Sequence, residues 1–177
     1  MIKIGDKNFH VFLSKEEINS MVRDLALRIN QDYRGKDPLL ISVLNGSFIF
    51  SADLIRQLDF DPQISFTKLA SYQGTSSTGN VDELIGLNQE TEGRHILILE
   101  DIVDTGNTLE KLVGMLKKKK AASIETVALL FKSQVYKKDI PVKYYGKDIP
   151  NKFVVGYGLD YNERGRSLDE IYQIGER

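Results

Sequence analysis

Glu100-Asp101-Ile102-Val103-Asp104-Thr105-Gly106-Asn107-Thr108 brings three carboxylates, two threonine hydroxyls and a glycine into one short stretch. The first two acids close an apolar run, Ile96-Leu97-Ile98-Leu99. The third follows three residues later, and a Gly/Thr loop then leads into Leu109, Leu112, Val113 and Leu116 at helical spacing. An ionised carboxylate can only accept hydrogen bonds, so Glu100 and Asp101 suit the hydroxyls of a sugar. Free N–H groups at a helix start, helped by Thr hydroxyls, suit a phosphate. A turn and a helix cap would account for one such Asp or Thr, but they account poorly for three acids. The common phosphate loops do not fit: there is no Walker sequence, and Gly156-x-Gly158 lacks the third glycine of the dinucleotide fingerprint.

Such a group needs strands that end beside helix starts, since ligands of open α/β sheets bind beyond the carboxyl ends of the strands. Ser14-Lys15-Glu16-Glu17 reads as a capping box, and Ile18, Met21, Val22, Leu25 and Ile29 continue as one buried helical stripe. Leu39-Leu40-Ile41-Ser42-Val43-Leu44 stops at Asn45-Gly46-Ser47. A helical stretch follows through Ala52, Leu54, Ile55 and Leu58, giving strand, tight loop and helix. Further strands are expected at 63 to 72, Val127 to Phe131 and Phe153 to Tyr157. The polar sequence from Gly74 to about position 94 shows little apolar periodicity, and loops of that length tend to be lids or disordered. Strands apolar on both faces, alternating with helices, predict a mostly parallel sheet covered on both sides. Lys117 to Lys120 is a basic run at a helix end, where the helix dipole favours cations.

Composition narrows the chemistry further. The chain has 177 residues and is 41% hydrophobic, enough for one domain with a real core. Lys and Arg total 24 against 25 for Asp and Glu, so no global attraction for nucleic acid or an anionic membrane is expected. There are no cysteines and only His10 and His95, which argues against disulfide scaffolds and transition-metal sites. No signal peptide and no membrane-span run is read, so a cytoplasmic protein is the expectation.

The stretch from Ile96 to Leu109 closely resembles the phosphoribosyl-pyrophosphate motif of type I phosphoribosyltransferases. Phe153-Val154-Val155-Gly156-Tyr157-Gly158-Leu159-Asp160-Tyr161-Asn162-Glu163, then Arg166, resembles the C-terminal segment of that family's hypoxanthine (guanine) branch. The order of Val43-Leu44-Asn45-Gly46-Ser47-Phe48, Ser71-Tyr72 and Lys132 agrees, so the resemblance spans roughly residues 38 to 175. It implies an α/β fold: a mostly parallel twisted sheet flanked by helices, with a small hood subdomain formed by the N- and C-terminal parts and residues 1–177 as a single domain. It also implies purine salvage, in which a 5-phosphoribosyl group passes from phosphoribosyl pyrophosphate to an oxopurine. Mg²⁺ would be the cofactor, and the assembly a homo-oligomer, either dimer or tetramer.

Carried over residue by residue, the resemblance implies that Glu100 and Asp101 hold the ribose hydroxyls while Thr105, Gly106, Asn107 and Thr108 cradle the 5′-phosphate. Asp104 is implied as the acid/base residue at the purine N7. Lys132 would donate to the exocyclic O6, which disfavours adenine because its amino donor would face an ammonium. Phe153 would stack on the base, and the backbone of Val154 would read its edge. Asp160 is implied as the Mg²⁺ ligand and Arg166 as a pyrophosphate contact, with Asn45 and Gly46 in the loop that meets pyrophosphate. Ser71 and Tyr72 would begin the lid.

The sequence departs from the family at Asn45, where many relatives have lysine, at Gly165, where an aromatic or apolar residue is expected, and at Phe131 and Ser133 beside Lys132. Two alternatives stay open. One is a regulator that keeps the pocket and binds RNA or DNA, against which stand the near-neutral charge and the retention of Asp104, Lys132 and Phe153. The other is transfer to another base, such as uracil, orotate or adenine, against which stands the C-terminal segment. Hypoxanthine, guanine and xanthine are not separated by sequence.

Overall fold

A computed structural model describes residues 1–69, 83–85 and 89–175 of the chain. Its central sheet has six strands in the order β5-β4-β3-β6-β7-β8, formed by β3 (Leu39–Val43), β4 (Gln63–Leu69), β5 (Glu83–Ile85), β6 (His95–Val103), β7 (Ser123–Phe131) and β8 (Tyr144–Asp148). Five of these run parallel, and β5 pairs antiparallel at the edge. Every residue of β3 is buried, as are Ile96 to Glu100 of β6 and Thr126 to Leu130 of β7. That two-sided burial is why these strands read as continuous apolar runs rather than alternating ones.

Helices cover both faces. On one, Leu40, Leu97, Leu99 and Leu129 pack against α1 (Lys15–Tyr33) and α2 (Phe48–Ile55). On the other, Leu39, Ile41, Ile96 and Ile98 meet Leu109, Leu112, Val113 and Leu116 of α3 (Asn107–Lys118). Helix α1 starts as its sequence predicts: Ser14 Oγ accepts from the Glu17 amide, and the Glu17 carboxylate accepts from the Ser14 amide at 2.9 Å. Lys117 and Lys118 lie in the last turn of α3.

A second, antiparallel sheet is built from the two chain ends in the order β1-β2-β10-β9, comprising β1 (Ile2–Ile4), β2 (Lys7–Leu13), β9 (Val154–Val155) and β10 (Ile171–Ile174). This is the hood expected over the main sheet. The strand expected at 153–157 shrinks to two residues and joins the hood instead of the parallel sheet. Gly156, Tyr157 and Gly158 all take positive φ, at 102°, 51° and 101°, which ends an extended strand. Strand β5 lies within the stretch where no element was expected. Ser71 and Tyr72, the expected start of a lid, lie outside the described residues.

Candidate active site

Four connections meet at the carboxyl edge of the central sheet. The loop after β3 carries Asn45, Gly46 and Ser47, and the end of β6 carries Glu100, Asp101 and the turn 104–106. Lys132 follows β7 directly, and the segment after β9 carries Asp160 and Arg166.

The first loop is pressed against the acids. A Cβ added to Gly46 would sit 1.7 Å from Asp101 Oδ2, so only glycine lets this backbone pass the carboxylate. Gly158 packs in turn on Gly46, where an added Cβ would fall 2.0 Å from its carbonyl oxygen. The Leu44–Asn45 peptide is cis. Beneath the loop runs a chain of buried hydroxyls: Ser51 Oγ donates to Ser42 Oγ at 2.8 Å, Ser42 and Ser47 share a hydrogen bond of 2.7 Å, and Ser47 Oγ donates to the Val43 carbonyl at 2.6 Å. Every member is satisfied, so the network can fix the loop without leaving a buried polar group unpaired.

Glu100 is 6% exposed. Burial, then the neighbouring Asp101, pushes its carboxyl well above the usual range. Asp101 is raised to about 6, first by burial and with a further push from Asp160, against lowering by backbone amides and Arg166. Two adjacent acids held this way are costly to ionise, and hydroxyl donors or a cation brought against them would offset that cost. Beyond them Gly106 takes φ 82° as the residue preceding α3, and no side chain caps the helix. Among the described residues, the first-turn amides of α3 therefore have neither an intrahelical nor a side-chain partner, the arrangement that receives an anion. Glu100 and residues 102–109 line a cavity of about 110 Å³ at this point. Tyr136 and Lys138 brace Gly106 from behind, and Lys138 Nζ reaches Glu110 at 2.7 Å.

Lys132 Nζ lies 2.8 Å from Asp104 Oδ2, with side-chain exposures of 8% and 46% respectively. Its other contact is Asn151 Oδ1 at 3.4 Å. Two residues beyond Asn151, Phe153 is 45% exposed, with its ring edge-on to Tyr161 at 5.9 Å and tilted against Phe9 at 6.4 Å. Val154 is buried and paired with Gln173 in the hood. Arg166 holds Asp160 Oδ1 at 2.8 Å and donates to the Gly158 carbonyl at 2.8 Å, while Asp160 Oδ2 accepts from the Glu163 amide. Gly165 borders an open cavity of about 480 Å³ together with Lys3 and Arg164.

The structure thus joins Asn45 and Gly46, Glu100 and Asp101, and Asp160 and Arg166 into one cluster. Asp104 and Lys132 form a second cluster at the same sheet edge. Sequence reasoning missed the Ser42–Ser47–Ser51 chain, Asn151 and the Tyr136–Lys138 brace. Gly158 falls within the segment whose resemblance to the family is given above, but nothing in its sequence signals the contact with Gly46.

Comparison with known proteins places this arrangement. Residues 12–162 match the phosphoribosyl transferase domain family. The hypoxanthine-guanine phosphoribosyltransferase of Staphylococcus aureus strain Mu50 is 42% identical over 162 residues, covering 91% of this chain and 90% of that one. A crystal structure of a Staphylococcus aureus hypoxanthine phosphoribosyltransferase superposes with a TM-score of 0.88 at 41% identity, covering 94% of this chain and 91% of that one. A Bacillus anthracis hypoxanthine-guanine phosphoribosyltransferase, with a HEPES molecule in its active site, gives 0.88 at 34% identity over 96% and 99% of the two chains.

Proposed function

The chain belongs to the phosphoribosyl transferase domain family, in its hypoxanthine-guanine branch, and from that premise we infer that it is a purine salvage enzyme. It transfers the 5-phosphoribosyl group of phosphoribosyl pyrophosphate to hypoxanthine, with guanine as second base, giving IMP or GMP and pyrophosphate. Residues 1–177 act as one unit in this reading.

The observation that carries it is the Asp104–Lys132 pair, 2.8 Å apart beside the acid-and-amide loop. An oxopurine presents N7 and O6 side by side on one edge. An acceptor and a cationic donor held next to each other match that edge when the base carries its proton on N7. Lys132 donates to O6, and Asp104 takes the N7 proton. Meanwhile N9 forms the new bond to ribose C1′, and the C1′–O bond breaks with its electron pair leaving on pyrophosphate. The exposed face of Phe153 is available to stack on the ring, which holds N9 near attack distance. Glu100 and Asp101 accept from the ribose hydroxyls, and the first-turn amides of α3 with Thr105 and Thr108 hold the 5′-phosphate. Arg166 and the loop at Asn45 and Gly46 face the departing diphosphate, where negative charge develops.

Mg²⁺ fits the donor set. Among the described residues no group of three or more His, Cys, Asp and Glu gathers as a metal cage. Asp160 near Asp101 offers the one or two hard carboxylates that this ion takes alongside water and substrate oxygens. When bound there it supplies positive charge to the pyrophosphate oxygens.

A homo-oligomer, dimer or tetramer, belongs to the same reading. A cytoplasmic location belongs to it as well; among the described residues no helix is long and apolar enough to cross a membrane. The test is steady-state turnover with phosphoribosyl pyrophosphate, Mg²⁺ and each candidate base, for the native chain and Asp104→Ala. Oxopurine turnover that is lost on chelating Mg²⁺ is expected. Asp104→Ala lowers kcat roughly 10²- to 10⁴-fold with every base, the usual weight of a positioned acid or base. Undiminished turnover of that variant would remove Asp104 from its role.

A further inference from the structure

The segment Gly156-Tyr157-Gly158 joins the base-facing end of the hood to Asp160, and Tyr157 alone of the three carries a side chain. It holds φ 51°, a conformation that side chains rarely adopt, and it is 5% exposed. Backbone bonds tie this segment to the turn that follows it: the Tyr157 amide donates to the Leu168 carbonyl at 2.8 Å and the Gly158 amide to the Arg166 carbonyl at 2.9 Å. None of those bonds reaches the central sheet. The Tyr157 hydroxyl instead reaches α2, which packs on that sheet, donating to Asp53 Oδ2 at 2.6 Å, while the other oxygen of Asp53 pairs with Arg56. Helix α2 begins directly after the loop that carries Asn45 and Gly46. Gly158 rests on Gly46 with no room for a Cβ, so the two segments are already in contact at their tips.

We propose that Tyr157 and Asp53 are positioning residues that pin the Asp160–Arg166 segment to α2 and so set the gap between it and the Gly46 loop. Resting on the reading that both segments face the pyrophosphate end of the substrate, the proposal adds what fixes their separation. Neither residue touches substrate. The pin acts on the diphosphate side of the site, whereas Asp104 and Lys132, on the base side, directly follow β6 and β7 and make no contact with it.

The consequence is a split in kinetic constants. Tyr157→Phe removes one oxygen and leaves the ring in place. It raises KM for phosphoribosyl pyrophosphate about tenfold, the scale of a hydrogen bond to a charged acceptor, and leaves KM for hypoxanthine unchanged. Asp53→Ala does the same, and the double variant is no worse than either single one, because both remove the same bond. Asp53→Asn keeps an acceptor for the hydroxyl and stays near the native value. Inorganic pyrophosphate with Mg²⁺, titrated by calorimetry, weakens in parallel. Additive effects in the double variant, an equal rise in KM for the base, or a lower melting temperature with both KM values intact would each overturn the pin. Should Asp53→Ala fail to fold, Tyr157→Phe and Asp53→Asn still decide the matter. A native protein without turnover overturns the functional reading and this proposal together, whereas native turnover with an unaltered Tyr157→Phe variant overturns the pin alone.

Discussion

Replacing Lys132 by methionine separates the chemistry of the site from the stability of the fold. The side chain is 8% exposed and its ammonium sits 2.8 Å from Asp104, whose own side chain is 46% exposed. Methionine keeps most of the buried stem and removes the charge. Asp104 then loses a partner but not its access to water, so no stranded buried charge is created. Removing one partner of an ion pair is costly chiefly when the other is left buried and uncompensated; with Asp104 open to water, a stability change within about 1 kcal/mol, or roughly 2–4 °C in melting temperature for a chain of this size, is expected. The oxopurine fares differently, because it loses a charge-assisted hydrogen bond of roughly 1.5–3 kcal/mol. At 1.36 kcal/mol per factor of ten, kcat/KM for hypoxanthine falls roughly 10- to 150-fold. Preference over adenine falls further, since the ammonium no longer opposes the adenine amino group. The assay is kcat/KM for hypoxanthine and adenine on both proteins, with a thermal melt of each. A variant within about twofold of native on hypoxanthine would refute the O6 role, and a melt lowered by tens of degrees would show Lys132 to be chiefly structural.

Gly46→Ala forces a Cβ to within 1.7 Å of Asp101 Oδ2, so loop or carboxylate must move; KM for phosphoribosyl pyrophosphate is expected to rise roughly tenfold or more while KM for the base holds, and calorimetric titration of pyrophosphate checks it. The ligand-free protein should become more stable as pH falls from 7.5 to 5. The folded carboxyl of Asp101 is raised to about 6 from 3.8, so its contribution is fully present below the unfolded value and lost as pH rises through about 6. Over that window Asp101 alone gives ~1.4 kcal/mol, with Glu100 acting in the same direction. Asp6, Asp32 and Asp148 are lowered below 3.8, so their losses fall at more acid pH. Melting temperatures across the window, for the native chain and Asp101→Asn, test this. A native slope of the opposite sign, or one unchanged by the substitution, would refute it.

Much of the frame is legible in the sequence because the residues that build it act locally. The capping box at Ser14 and Glu17 and the α1 stripe need only helical spacing, and β3, β6 and β7 announce themselves by burial on both faces. The hood is harder to read. Strands β2 and β10 pair across some 160 residues, and their burial patterns mix exposed with buried positions in short runs. Strand β8 lies at the sheet edge with only Tyr144 buried, so it lacks the apolar run that marks its neighbours. The early end of β9 comes from three successive positive φ values at Gly156, Tyr157 and Gly158; the glycines permit it, but the tyrosine between them gives no sign of such a turn.

The site shows the same division, and strand register explains it. Strands β6 and β7 pair in parallel with Ile102 opposite Leu130 and Val103 opposite Phe131. The next residue on each chain is Asp104 on one side and Lys132 on the other, so their meeting follows from two strands ending level with each other. The Lys132 amide, donating to the Val103 carbonyl at 3.0 Å, carries the ladder one step past the strands to that point. Ser42 opposite Leu99 in the β3–β6 pair likewise brings the loop at Gly46 across Asp101. Residue types told which groups could act, but the distances between them are properties of the ladder. A slip of one residue between β6 and β7 would exchange the side chains packed toward α1 and α2 with those packed toward α3 and draw Lys132 away from Asp104. Burial of both faces makes such a slip prohibitive, so the apolar interior that seems remote from the chemistry is what holds a proton acceptor and an ammonium 2.8 Å apart.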